Sequence, residues 1–284
     1  MKTRSFIIVS FLLVNCVYLS QAKTKISLGQ AIERKIILAK SICAGGLEIN
    51  YNITNLIKDS LVILVPAGWR FNSDAGKTDY QDILTTQPAV FVLGSKQTKT
   101  FDIKGFCCEY TKGGPIKGAK YTLGKLADSN LVSLARFLSS HPIDLNTQQY
   151  SVWSISDNKE TANITCSNDS IASVLRSFVA RIKGEPQPWY TLLKKSNIST
   201  LGSINDLPIR FKAKIDYVVN KTCYASCYII DDKGNQVSEI FSQWFYPENT
   251  TYQANFNVAG LQKGNYKLVL QNKTNSFFEK SFKI

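Results

Sequence analysis

The sequence predicts a mainly β protein with a helical insert: an N-terminal β-sandwich, a helical segment, then a C-terminal immunoglobulin-like β-sandwich. Three observations lead there. Short runs rich in β-branched and aromatic residues, punctuated by Gly, Pro, Asn and Asp, fill both ends of the chain. Apolar residues recur at helical spacing mainly in the middle. A chain of 284 residues with 44% apolar content is long enough for about two packed domains.

The first expected element is a secretory signal over residues 1–22. Lys2 and Arg4 make a positive n-region, Phe6 to Leu19 is almost all apolar, and Ser20-Gln21-Ala22 supplies the small residues of a cleavage site after Ala22. The apolar run is shorter than the roughly 18–20 residues a spanning helix needs. No later stretch is longer, so no transmembrane span is expected.

Residues 23–105 read as the β-sandwich. Ser27 caps a short helix through Gln30, Ala31 and Glu33, and strands follow at Ile36 to Cys43, Leu47 to Ile53, Leu61 to Val65, Ala89 to Leu93 and Thr98 to Ile103. Residues 106–195 read as helical. Asp128 or Ser129 caps a helix carrying Leu131, Leu134, Ala135 and Leu138, and a second covers Thr147 to Ile155. A third starts at Asn168 or Asp169 with Ile171, Val174, Leu175, Phe178, Val179 and Ile182 facing the core. Residues 196–206 read as a linker. From Leu207 to Ile284 six strands are expected, with turns at Asp232-Lys233-Gly234-Asn235 and Gln262-Lys263-Gly264-Asn265 where Gly supplies positive φ.

The formal charge is +13, or +11 once Lys2 and Arg4 are removed. Such an excess favours anionic partners such as polysaccharides, membrane surfaces or nucleic acid, but the lysines are scattered and form no nucleic-acid arm. Six cysteines remain after the signal: Cys43, Cys107, Cys108, Cys166, Cys223 and Cys227. Their spacing shows no paired CxxC knuckles, and His141 is the only histidine, so no metal site and no cofactor is expected. Asp74, Asp79 and Asp82 lack the spacing of a cation loop. Cys223 and Cys227, at i and i+4 of one strand, lie about 13 Å apart, beyond the reach of a disulfide. Two thiols on one sheet face is the expectation there.

Two ordered segments stand out for chemistry. Gly105-Phe106-Cys107-Cys108-Glu109-Tyr110 is followed some forty residues later by Thr147-Gln148-Gln149-Tyr150-Ser151-Val152-Trp153. Over residues 105–157 this pair resembles the thioester domains of bacterial surface adhesins, in which a Cys after an aromatic residue joins a Gln four residues before a Trp. The resemblance implies an acyl–sulfur bond between Cys107 and Gln149, with Trp153 packed beneath, opened once by a nucleophile on a partner. Cys108 makes a double cysteine, so either sulfur fits the motif, and Tyr150-Ser151 replaces the small apolar pair usual after the Gln. Thr147 or Ser151 is the expected positioning group for the amide.

The tail has its own likeness. Tyr228 to Val237 and Leu261 to Leu268, with the basic end Lys280-Ser281-Phe282-Lys283-Ile284, resemble the C-terminal sorting domains of type IX secretion, with Asp206-Leu207-Pro208 in place of the usual Pro-Asn-Pro. The expected function is therefore secreted or surface attachment to an extracellular protein or glycan, without turnover. Secretion machinery is a further partner if the tail is a sorting domain. A competing reading is a cysteine hydrolase built on Cys108 and His141, with Asn146 or Asp157 as third member. A third is a structural surface protein in which Cys107 and Cys108 are core residues. Trp189-Tyr190 and Trp244-Phe245-Tyr246 are expected mostly in the core.

Overall fold

The computed structural model describes residues 24–45, 47–73, 80–198 and 204–284. The expected signal, Asp74 and Asp79 lie outside them. The fold is mainly β with a helical insert. In the N-terminal region β1 (Thr24–Ser27) precedes α1 (Leu28–Glu33), which Ser27 and Gln30 close with a reciprocal capping box. Then come β2 (Ile37–Gly45), β3 (Glu48–Asn55), β4 (Leu61–Val65), β5 (Arg70–Ser73), β6 (Ile83–Thr85), β7 (Ala89–Leu93), β8 (Thr98–Cys107) and β9 (Lys120–Thr122).

These strands are not two simple stacked layers. Six of them close into a barrel in the order β2-β3-β8-β6-β5-β9, and β1-β4-β7 forms a separate three-stranded sheet. The closing strands β5, β6 and β9 have only three or four residues each, too short to show alternation in the sequence. Sheet and barrel share one core, in which Leu61, Ile63 and Phe91 meet Ile49, Tyr51, Ile53 and Phe71. Burying each such side chain contributes about 1.5–3 kcal/mol.

Three helices follow: α2 (Ser129–Ser139), α3 (Leu145–Ser156) and α4 (Asp169–Lys183), capped by the side chains of Asp128, Asp144 and Asn168. Leu131, Leu134, Leu138, Val152, Leu175 and Val179 meet over Leu84, Phe106 and Cys108. The helices therefore sit on the β6–β8 edge of the barrel. Val174, expected on the core face of α4, is exposed; the stripe is narrower than the sequence pattern suggested. Gly184, at φ +70°, ends α4 in the left-handed conformation.

The C-terminal sandwich begins earlier than expected. β10 (Tyr190–Ile198) and β11 (Ile204–Val219) pair along their length, with Ser196 opposite Asp206 and Ile198 opposite Ile204. The segment read as a linker thus carries the ends of two strands. Leu and Lys residues give β10 little intrinsic strand preference, and pairing with β11 decides its state. Pro208 breaks the expected pattern of β11 and is accommodated at the bulge between Leu193 and Lys194. The remaining strands are β12 (Cys223–Asp231), β13 (Gln236–Phe245), β14 (Glu248–Asn257), β15 (Asn265–Gln271) and β16 (Ser276–Lys283). Sheet β10-β11-β14 faces sheet β13-β12-β15-β16 across a core of Phe211, Ile215, Val219, Cys227, Ile229, Leu268 and Phe282.

Gly234 has the expected positive φ, +85°, but Gly264 does not; Gly260, at +95°, turns the chain before it. Cys223 and Cys227 lie on the inward face of β12, and burial pushes the Cys227 thiol up to about 12. No helix among the described residues is long and apolar enough to cross a membrane.

Gly105 sits where β6 meets β8, and a Cβ there would lie 2.4 Å from Ile83 Cγ2 and 2.7 Å from the Leu84 carbonyl oxygen. Gly105→Ala should destabilise the protein by about 1–3 kcal/mol, read as a lower urea midpoint with an unchanged slope. An unchanged midpoint would contradict the close β6–β8 approach.

Candidate functional site

Cys107 is the last residue of β8, and Gln149 lies in the second turn of α3. Both ends of the Gln149 carboxamide meet the backbone of Cys107. The Cys107 N–H donates to Gln149 Oε1 at 2.9 Å, and Gln149 Nε2 donates to the Cys107 carbonyl oxygen at 2.8 Å. The reason is legible in the strand edge. Beyond Lys104, opposite Glu48, β8 has no further partner residue in β3. The Gly105 N–H bonds the Leu47 carbonyl oxygen, and two residues on the side-chain amide takes over. The carboxamide continues the β3 edge by one rung.

Alternation separates the two cysteines. Cys107 belongs to the barrel core with Trp153, whereas Cys108 points into the helical core among Leu131, Leu134 and Val152. Cys108 is 1% exposed, and burial pushes its thiol well above the ordinary range. Of the two, Cys107 is the one that lines a cavity, together with Gln149, Tyr150 and Trp153. Gln148 is turned the other way, accepting from Thr86 Oγ1 and donating to the Ile143 carbonyl oxygen.

The cavity measures about 990 Å³ and lies where the helical segment meets β10 and β11; Thr191, Leu193 and Lys212 form its far wall. Trp153 is buried beside it, edge-on to Tyr110 and Tyr150 at 5.1 and 5.6 Å. Its Nε1 donates to Gln81 Oε1 at 3.2 Å. Gln81 was not found from the sequence: it is fully buried on the cavity wall, its Oε1 also accepts the Glu109 N–H, and its Nε2 donates to the Lys112 carbonyl oxygen. An isolated Gln before an Asp carries no signal in the sequence. Asn163 also borders the cavity, and its Oδ1 is buried without a hydrogen-bond partner. That burial keeps the Asn163-Ile164-Thr165 sequon inaccessible in the folded protein.

Neither expected positioning group reaches the Gln149 amide through the bonds it makes. Thr147 Oγ1 lies 2.6 Å from both Asp144 Oδ2 and the Thr165 carbonyl oxygen, which share its one proton, and Ser151 Oγ donates to the Gln148 carbonyl oxygen. Those bonds fix the start of α3, and the backbone of Cys107 holds the amide directly.

The hydrolase residues are not brought together. His141 is exposed at the end of α2, stacked on Phe137 at 4.0 Å with its Nδ1 2.7 Å from the Phe137 carbonyl oxygen, while Cys108 is enclosed in the helical core. Asp157 caps α3 and accepts from the Tyr110 N–H. Asp82 is tied to Arg70 and Ser73 beside Glu109, and the described residues contain no cluster suited to a metal. Cys108, Cys166, Cys223 and Cys227 form no disulfide.

The chain matches no protein-family model, no curated protein and no solved structure.

Two outcomes follow from this geometry. Gln149→Ala strips partners from the backbone of Cys107, which is 5% exposed, and should cost about 1–3 kcal/mol in urea unfolding. An unchanged stability would mean water or another group replaces the amide. In native protein treated with iodoacetamide near neutrality, Cys166, partly exposed on the cavity wall, should alkylate while Cys108 stays unmodified until denaturant is added. Equal rates at the two would contradict the burial of Cys108.

Proposed function

We propose that the protein is exported and acts at the cell exterior in attachment or ligand binding, capturing its partner once through an internal thioester between Cys107 and Gln149. The observation that carries this reading is the seating of the Gln149 carboxamide on the Cys107 backbone at the wall of a cavity of about 990 Å³. The two hydrogen bonds hold the carboxamide at the residue that carries the sulfur, and holding reactants together in this way raises their effective concentration, which offsets the poor electrophilicity of an amide.

In the first step the Cys107 sulfur attacks Gln149 Cδ. The C–S bond forms, the Cδ–Nε2 bond breaks, and ammonia leaves with the thiol proton. Negative charge develops on Oε1, which already accepts the Cys107 N–H; that donor acts as an oxyanion contact without reorganisation. Loss of Nε2 also removes the hydrogen bond to the Cys107 carbonyl oxygen. In the second step a partner's amine attacks the same carbon, the C–N bond forms, the C–S bond breaks, and the thiol returns to Cys107. Trp153, packed under both segments, holds α3 against the end of β8. The molecule is spent after one such event.

Export rests on Lys2, Arg4, the apolar run to Leu19 and Ser20-Gln21-Ala22. For the C-terminal sandwich we assign the role of a secretion-sorting domain, supported by the Asp231–Asn235 turn and the basic end of β16.

A second reading is favoured by the same hydrogen bonds. A carboxamide that replaces a strand neighbour is a structural strut in its own right, and binding would then be non-covalent. Intact mass separates the two. The thioester form should be lighter than the mature sequence by one ammonia, the deficit should vanish in Cys107→Ala and in Gln149→Ala, and methylamine should add to Gln149. A full-mass protein that forms no methylamine adduct would sink covalent capture.

A further inference from the structure

The outward face of sheet β13-β12-β15-β16 carries aromatic rings that no core claims. Tyr224 on β12 lies directly opposite Trp244 on β13, and their rings meet edge-to-face at 5.6 Å. They are 52% and 62% exposed, and Tyr246 just beyond is 66% exposed. Of the run Trp244-Phe245-Tyr246, only Phe245 turned inward. Leaving three such rings largely in water forgoes apolar burial, and an exposed apolar patch of this kind marks a binding site.

What surrounds the rings is polar. On the next rung Ser226 and Ser242 face each other with hydroxyl oxygens 2.7 Å apart, and Gln271 of β15 stands opposite Ser226. The turn after β15 is fixed by Asn272 Oδ1, which accepts from the backbone N–H groups of Thr274 and Asn275 at 2.9 and 2.7 Å. It places Lys273 and Thr274 on the wall of a cleft of about 510 Å³ shared with Tyr224, Tyr228 and Gln271. No carboxylate lines that cleft, and Lys273 is its single charged residue. Glu239, on the neighbouring strand β13, lies outside the cleft and accepts from the Ser242 hydroxyl.

We propose that this face is a glycan-binding site for an acidic polysaccharide. The apolar faces of pyranose rings stack on Tyr224 and Trp244, whose π-faces attract polarised C–H bonds. Ser226, Gln271 and Thr274 bond ring hydroxyls, and Lys273 meets a uronate carboxylate. The charge is complementary at both scales: one lysine without a competing acid in the cleft, and a formal net charge of +11 once Lys2 and Arg4 are removed with the signal. A protein hot spot or a lipid surface would present contiguous apolar area, whereas this cleft alternates rings with hydroxyls and amides.

The site is independent of the Cys107–Gln149 pair, so the two proposals fail separately. Calorimetric titration of the full mature chain with a galacturonate hexasaccharide, and with the same sugar fully methyl-esterified, tests it. The acid form should bind more tightly at low salt. Trp244→Ala and Tyr224→Ala should each weaken it by at least about tenfold with unchanged thermal unfolding, since both rings are exposed. Lys273→Ala should bring the acid form down to the affinity of the ester, and Cys107→Ala should bind as the wild type does. Equal affinity for acid and ester in the wild type, full binding by Trp244→Ala, or no binding of the acid hexasaccharide would overturn the proposal.

Discussion

One strand edge left unfinished governs the middle of this molecule. β8 outruns its neighbour β3, so the backbone N–H and carbonyl of Cys107 need partners that the sheet does not provide. At 5% exposure, water is a poor substitute, and each unmet group costs about 1–3 kcal/mol. The Gln149 carboxamide, an isostere of a peptide group, meets both at once. That pair of bonds ties α3 to the barrel and fixes which side chains line the cavity.

The same constraint sorts the two cysteines. A strand alternates its faces, so neighbouring residues in the Cys107-Cys108 pair enter different cores. Cys108 is sealed among leucines and its ionisation is suppressed by burial, which suits packing and not nucleophilic chemistry. Cys107 shares a cavity wall with the amide that holds its backbone. One hydrogen-bonded pair thus supports two uses that differ only in whether a covalent bond follows: a strut joining helix to barrel, or a poised acyl donor.

Much of this architecture was written locally. The helix caps Asp128 and Asn168, the α1 capping box and the β4 and β7 strands fall where side-chain chemistry and alternation place them. Barrel closure could not be read, because three-residue strands such as β6 and β9 carry no period and are defined by their partners. The segment read as a linker carries the ends of β10 and β11, where residues of low strand preference are held as strand by their pairing. At the site, the resemblance to thioester domains directs attention to Cys107 and Gln149, and the contact between them is a pair of hydrogen bonds from the carboxamide to the Cys107 backbone. Gln81 was not legible, since nothing marks a Gln that becomes important only after residues 109, 112 and 153 fold onto it. The exposed Trp244 reversed a reasonable expectation: a strand's alternation tells which residues share a face, but not which face meets water.

The central claim is that the sulfur of Cys107 and the side-chain carbonyl carbon of Gln149 become a single bonded group. Electron density for the crystallised wild-type protein tests it most directly. The account predicts continuous density from Sγ to Cδ at a covalent carbon–sulfur length, with Oε1 still accepting the Cys107 N–H. Unbonded Sγ and Cδ in crystals of protein never exposed to amines, whose dissolved crystals show the full mass with no ammonia deficit, would contradict it.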